Sequence, residues 1–141
     1  VIMASGDTIG DGDEVAAIIG APKGAVISDL VDGLHTKDVE KALTAIGTVV
    51  ADHGDMKLFM RLLLERVRAV MLLRNMPNNS ESITAAFSEK DREQLKALAT
   101  DSTSALNSHT LLRLLFAAEG MQKTQLMHVP LEVAVVDICT G

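Results

Sequence analysis

Asp7-Thr8-Ile9-Gly10-Asp11-Gly12-Asp13 is the stretch of this chain whose residue types come closest to a metal-binding loop. With Asp7 at position one of a calcium loop, Asp11 and Gly12 fall at positions five and six, and the second is where the sharp turn needs glycine. Position three is Ile9, however, and position twelve, which must supply a bidentate carboxylate, is Ile18. The segment therefore reads as a capping turn ahead of a helix.

Other chemistry-bearing residues are dispersed. His35, His53, His109 and His128 lie between helices or near their ends, and no two share the i, i+4 spacing that presents a common metal face. His53 and Asp55 flank Gly54 and could share a proton, but any polar pair at a helix end has that property. Cys139 is the sole cysteine, so neither an internal disulfide nor a cysteine zinc site can form; beside an apolar segment it reads as a buried thiol, and a reducing compartment fits. Gly20-Ala21-Pro22-Lys23-Gly24 lacks the G-x-x-x-x-G-K-[ST] pattern that cradles phosphate. No catalytic, cofactor-binding or metal-ligating residue is assigned.

Composition points elsewhere. Apolar residues make up 48% of the chain, yet there are three Phe and no Trp or Tyr, so the core must be aliphatic. Stacking platforms for single-stranded nucleic acid and aromatic cages are disfavoured. Residues 1–55 hold ten acids and three bases, whereas 56–74 hold one acid and five bases, so an acidic flank meets one basic helix. With the whole chain at −6, that helix reads as a compensated solvent face rather than a phosphate-contacting stripe. Lys57, Arg61, Glu65, Arg66 and Arg68 interrupt the most apolar run, which makes a membrane span too costly. The opening Val1-Ile2-Met3-Ala4 has no basic secretory n-region and reads as the continuation of a longer, cytoplasmic protein.

Periodicity supplies the elements. A short helix is expected from Asp13 to Ile19, stopped by Gly20 and Pro22, and another over Ala25–Leu34 with Val26, Ile27, Leu30, Val31 and Leu34 on one stripe. Thr36 can cap a helix bearing Val39, Leu43, Ile46 and Val50, with Gly54 at its C′ position. Asp55 caps a long helix to about Asn75 whose polar stripe is Lys57, Arg61, Glu65 and Arg68; it should be central, and the short link implies an antiparallel hairpin with its predecessor. A turn at Met76–Ser80 precedes a short helix over Glu81–Phe87. Ser88-Glu89-Lys90-Asp91 resembles a capping box opening a helix to about Thr100. After a polar bend, Asn107 or Ser108 caps a helix with Leu111, Leu115 and Ala118 on its buried stripe, widened by Leu112, Leu114 and Phe116. In the closing Pro130–Ile138, Leu131, Ala134, Val135 and Ile138 fall at i, i+3, i+4 and i+7, a pattern that periodicity alone does not separate from a buried strand. The expectation is an all-α, compact bundle of about five to seven helices.

Taken in order, these pieces resemble the bacterial DNA polymerase III gamma/tau clamp-loader subunit, at the end of its second domain and over nearly all of its third. The resemblance is carried by Asp13-Glu14-Val15-Ala16-Ala17-Ile18-Ile19-Gly20, by Lys41-Ala42-Leu43, by Met60 through Arg68, by Leu111-Leu112-Arg113-Leu114-Leu115, and most by the closing Pro130-Leu131-Glu132-Val133-Ala134-Val135-Val136-Asp137-Ile138. It implies that residues 1–22 end an upstream lid domain and that 23–141 form a helical collar whose last segment is a helix. It also implies self-association and binding to the delta and delta-prime subunits, with no direct nucleic-acid contact. ATP and zinc would belong to missing upstream domains, and the fragment itself would hold no cofactor and catalyse nothing.

The apolar faces left without a partner in this reading mark a candidate subunit interface at Leu126, Met127, Val129, Leu131, Val133 and Val136. The alternative is a ligand-sensing or regulatory helical bundle, motivated by seven Met residues that could line an adaptable interior.

Overall fold

Gly24–Thr36 form α1, and Ile27, Leu30, Val31 and Leu34 are buried along it at the i, i+3, i+4, i+7 spacing of one helical face. The structure, a computed structural model, describes residues 24–141. The acidic glycine turn, the expected helix from Asp13 to Ile19 and the boundary between 1–22 and 23–141 lie outside the described residues.

Helix α2 spans Val39–Ala51, and its N-cap is Asp38, whose carboxylate accepts the Lys41 N–H at 3.1 Å. Thr36 does not cap α2: it is the last residue of α1, and its hydroxyl donates to the Asp32 carbonyl. Lys37 adopts a left-handed conformation (φ 60°), which lets the Asp38 N–H reach back to the Gly33 carbonyl at 2.8 Å. The same device ends α2, where the left-handed position falls to His53 (φ 54°) rather than Gly54 and the Gly54 N–H donates to the Val49 carbonyl. The buried face of α2 also differs from the expected stripe. Ala42, Ala45, Ile46 and Val49 are inside, Val39 and Leu43 are half-buried, and Val50 is exposed. Small residues let α1 and α2 approach closely, and that contact outweighs the pull of the larger side chains.

Met56–Asn75 form α3, capped by Asp55, whose carboxylate accepts the Leu58 N–H. Lys57, Arg61, Glu65 and Arg68 face solvent as expected, and the helix is central, packing on α1 and on the later helices. The expected antiparallel hairpin is absent. Helices α2 and α3 scarcely touch, because α2 turns its small-residue face to α1 and to the final helix. Arg66, on the apolar side of α3, is buried: its Nη2 donates to Asp91 at 2.8 Å, its Nη1 to the Leu62 carbonyl, and its guanidinium lies over the Phe87 ring.

A 3₁₀ turn, Pro77–Asn79, leads into α4, Ser80–Thr84, which stops short of the expected Phe87. Ser88 caps α5, Glu89–Thr100, by accepting the Asp91 N–H, but the Asp91 carboxylate serves Arg66 instead of completing a capping box. Arg74, at the end of α3, then clamps the exit of α5. It donates to the carbonyls of Leu98 (3.2 Å) and Ala99 (3.4 Å) and, across the bend, to that of Leu106 at 2.6 Å. Five N–H donors in a rigid fork suit a helix C-terminus whose last carbonyls lack partners.

The chain closes with α6, Ser108–Met121, and α7, His128–Thr140. Every element among the described residues is helical, with seven α-helices and one 3₁₀ turn, and the core is aliphatic around Phe59. The closing segment is a helix, with Pro130 in its first turn where its missing N–H costs nothing.

Candidate docking surface

The local sequence of α6 fixes which of its faces is spare. Asn107 caps it by accepting the Thr110 N–H at 3.0 Å, and the Thr110 hydroxyl donates to the Ala105 carbonyl, which ties the first turn to the preceding bend. With that start, Thr110, Leu114, Ala117 and Met121 point inward. Leu115, expected on the buried stripe, and Leu112 and Phe116, expected to widen it, are instead exposed, Phe116 to 78%. Leu111 and Ala118 are half-buried and only edge the core. The inward stripe includes a threonine and an alanine, so hydrophobicity alone selects the wrong rotation of this helix.

Helix α7 packs on α6, α2 and α1 and buries Leu131, Ala134, Val135, Ile138 and Cys139. Burial pushes the Cys139 thiol above its ordinary pKa, which keeps it protonated and unreactive. Of the six residues expected at an interface, Val133 (62%), Leu126 (60%), Val129 and Val136 are exposed and Met127 is half-buried against the core. Leu131 is fully buried and cannot touch a partner; it occupies the i position of the inward face, two residues from the outward Val129 and Val133.

The outward residues of the two helices converge. An open groove of about 470 Å³ runs between them, with Phe116 and Ala117 on one wall, Val133 and Ala134 on the other, and Leu126, Val129 and Pro130 at one end. It is closed at the other end by the Arg113–Asp137 ion pair, which joins α6 to α7. The helices approach tightly at Gly120, where a Cβ would lie 3.6 Å from the Pro130 ring. Among the described residues, seven of the nine large hydrophobic residues that are exposed lie on α6, α7 or their link; Val50 and Met76 are the others. A contiguous apolar face of this kind is what a protein keeps for a partner.

One polar constellation escaped the sequence reading. His35 on α1 places Nε2 3.1 Å from the Asp101 carboxylate and Nδ1 2.7 Å from the Ser104 hydroxyl. A neutral ring with its proton on Nε2 donates to Asp101 and accepts from Ser104, an order that resembles a nucleophile relay. The amides that an oxyanion would need are already committed. The Ser104 N–H donates to the Asp101 carbonyl, the Ala105 N–H to the His35 carbonyl and the Leu106 N–H to Ser104 Oγ. The constellation is a staple that holds the 101–107 bend on α1. No local pattern could have revealed it, since His35 lies 66 positions from Asp101 and 69 from Ser104. Among the described residues no group of three or more His, Cys, Asp or Glu could hold a metal ion, and no helix is long and apolar enough to cross a membrane.

Residues 11–116 match the family model described as DNA polymerase III subunits gamma and tau domain III. The chain belongs to that family. Domain III of the gamma and tau subunits is a clamp-loader domain, and the all-helical architecture agrees with it. The matched span ends at Phe116, so it takes in the exposed Leu112, Leu115 and Phe116 of this domain III, while α7 lies past it. No curated protein and no solved structure matches the chain.

Proposed function

We propose that this chain is the oligomerisation, or collar, domain of the DNA polymerase III clamp loader, holding subunits together through the α6–α7 face while the sliding clamp is loaded. The observation that carries this reading is the concentration of exposed apolar side chains on one face, in a member of the gamma/tau domain III family. The partners are other copies of the chain and the delta and delta-prime subunits. The fragment is non-catalytic, contacts neither nucleic acid nor membrane, and works in the cytoplasm. Residues 1–22 end an upstream lid domain and 23–141 form the collar; ATP and zinc belong upstream. Leu126, Met127, Val129, Val133 and Val136 stay as interface residues, joined by Leu112, Leu115 and Phe116.

A ligand-sensing bundle gains little support. Met56, Met60 and Met121 are packed in the core, and no methionine lines the α6–α7 groove, which is open rather than enclosed. Light scattering at micromolar concentration, alone and with delta-type subunits, tests the assembly role. A species above the monomer mass, or a stable complex, is expected; a strict monomer that binds neither would contradict it.

A further inference from the structure

Three cations share one exposed face of the central helix. Lys57, Arg61 and Arg68 lie within about 40° of one another around α3, because steps of four and seven residues nearly complete whole turns. Glu65 stands beside them, so three bases face one acid. The other two bases of α3 are engaged: Arg66 pairs with Asp91, and Arg74 donates to carbonyls at the end of α5 and in the bend that follows. No carboxylate of the described residues pairs with Lys57, Arg61 or Arg68. The compensation expected for a solvated basic face is therefore not supplied by the helices packed around it.

Complementary charge lies in the sequence ahead of α1. Asp7, Asp11, Asp13 and Glu14 put four carboxylates into residues 7–14, with no base among them. The fold brings the start of α1 within reach of the basic face. Helix α5 runs beside α3 in the same direction, Asp91 meeting Arg66 and Leu98 meeting Arg74. Gln94 of α5 donates in turn to the Ser28 carbonyl, so the first turns of α1 stand level with the second half of α3, where Arg68 lies. From Gly24 back to Glu14 the chain can extend about 33–36 Å. Along the helix, Lys57 and Arg68 are separated by a rise of about 16 Å, less than the roughly 26 Å that residues 7–14 span when extended. A tether this short holds the acids at a roughly millimolar effective concentration, so pairs that are weak one by one act together.

We propose that the acidic run of residues 7–14 pairs with the Lys57, Arg61 and Arg68 face of α3 within the same chain. The contact ties the segment that precedes α1 to the central helix. It uses none of the exposed apolar side chains of α6 and α7, so it is independent of the assembly role.

Carbodiimide cross-linking of the 141-residue chain, read by mass spectrometry, tests the pairing, since the reagent joins only carboxylates and amines already in contact. The Lys41–Asp32 pair, which links α2 to α1, serves as the internal control. Lys57 is expected to link to Asp7, Asp11, Asp13 or Glu14. The yield of that link should fall roughly fivefold or more in 1 M sodium chloride, where the screening length is about 3 Å, and in the Arg61→Gln, Arg68→Gln double variant. Both arginines are exposed, so the double variant should keep the parent circular dichroism. Absence of the Lys57 link while the Lys41 control forms overturns the contact; duplex DNA binding that the double variant loses would then assign the face to phosphate. A link that neither salt nor the double variant weakens also overturns it. In a mixture of labelled and unlabelled chains, Lys57 links found only between chains overturn the intrachain contact in favour of a second copy. Each of these results leaves the assembly role standing.

Discussion

Gly33 and Ala42 bring α1 and α2 into backbone contact: a Cβ at position 33 would stand 2.9 Å from the Ala42 nitrogen and 3.1 Å from its Cβ. The obstacle is main chain and cannot swing aside. Gly33→Ala should therefore destabilise the fold by about 1–2 kcal/mol, because overpacking of about 1–3 kcal/mol outweighs the ~1 kcal/mol gained in helix propensity. Urea denaturation reads the difference. Gly47→Ala, at a position with open space around it, should stabilise instead.

The Arg66–Asp91 pair joins α3 to α5 with side-chain exposures of 8% and 21%. Removing the carboxylate strands a buried guanidinium, so Asp91→Ala should cost about 2–3 kcal/mol, somewhat less than a fully buried pair because Asp91 keeps contact with water. Adding Arg66→Met to Asp91→Ala should recover much of the loss. A double variant that is as unstable as the sum of two harmful singles would show that the pair contributes otherwise than by mutual neutralisation.

Much of this architecture is legible in local sequence. The caps at Asp55, Ser88 and Asn107, the central α3 and the helical closing segment all follow from short-range rules. Two kinds of feature are not. The first is helix rotation where small or polar residues are buried: Ala42 and Ala45 in α2, and Thr110 and Ala117 in α6, turn larger side chains outward. Three of the residues on the docking face, Leu112, Leu115 and Phe116, are hidden by this effect. The second is long-range polar pairing. Asp91 reads as half of a capping box, Arg74 as part of a solvent face and His35 as a helix-end residue, because nothing local reveals that each meets a distant partner.

Acid should loosen the 101–107 bend. The Asp101 carboxylate accepts from the Thr103 hydroxyl (2.6 Å) and the Thr103 N–H (2.9 Å) and faces His35, and these hold its pKa below the ordinary 3.8. A carboxyl with a lower pKa in the folded state contributes stability that is present above its unfolded value and disappears as pH falls through the folded one. Asp101→Asn should therefore flatten the stability profile between roughly pH 5 and pH 2. Denaturation curves across that range check it, and an unchanged slope would exclude Asp101 as a contributor.

Neighbouring positions of α7 should separate folding from assembly. Leu131 and Val135 are fully buried, so Leu131→Asp or Val135→Asp should unfold the chain by leaving an unpaired carboxylate in an apolar core. Val133 and Val136 face outward, so Val133→Asp or Val136→Asp should keep the helical circular dichroism of the parent and lose assembly. Equal damage from inward and outward substitutions would contradict the assigned rotation of the helix.

The central claim is that the α6–α7 face holds this domain to its partners. Its most direct measurement is binding of the chain and of a folded Phe116→Asp, Val133→Asp double variant to a mixture of parent chain and delta-type clamp-loader subunits, followed by light scattering. The parent should enter complexes above the monomer mass and the double variant should remain monomeric in all of them. A folded double variant that assembles as well as the parent would contradict the account.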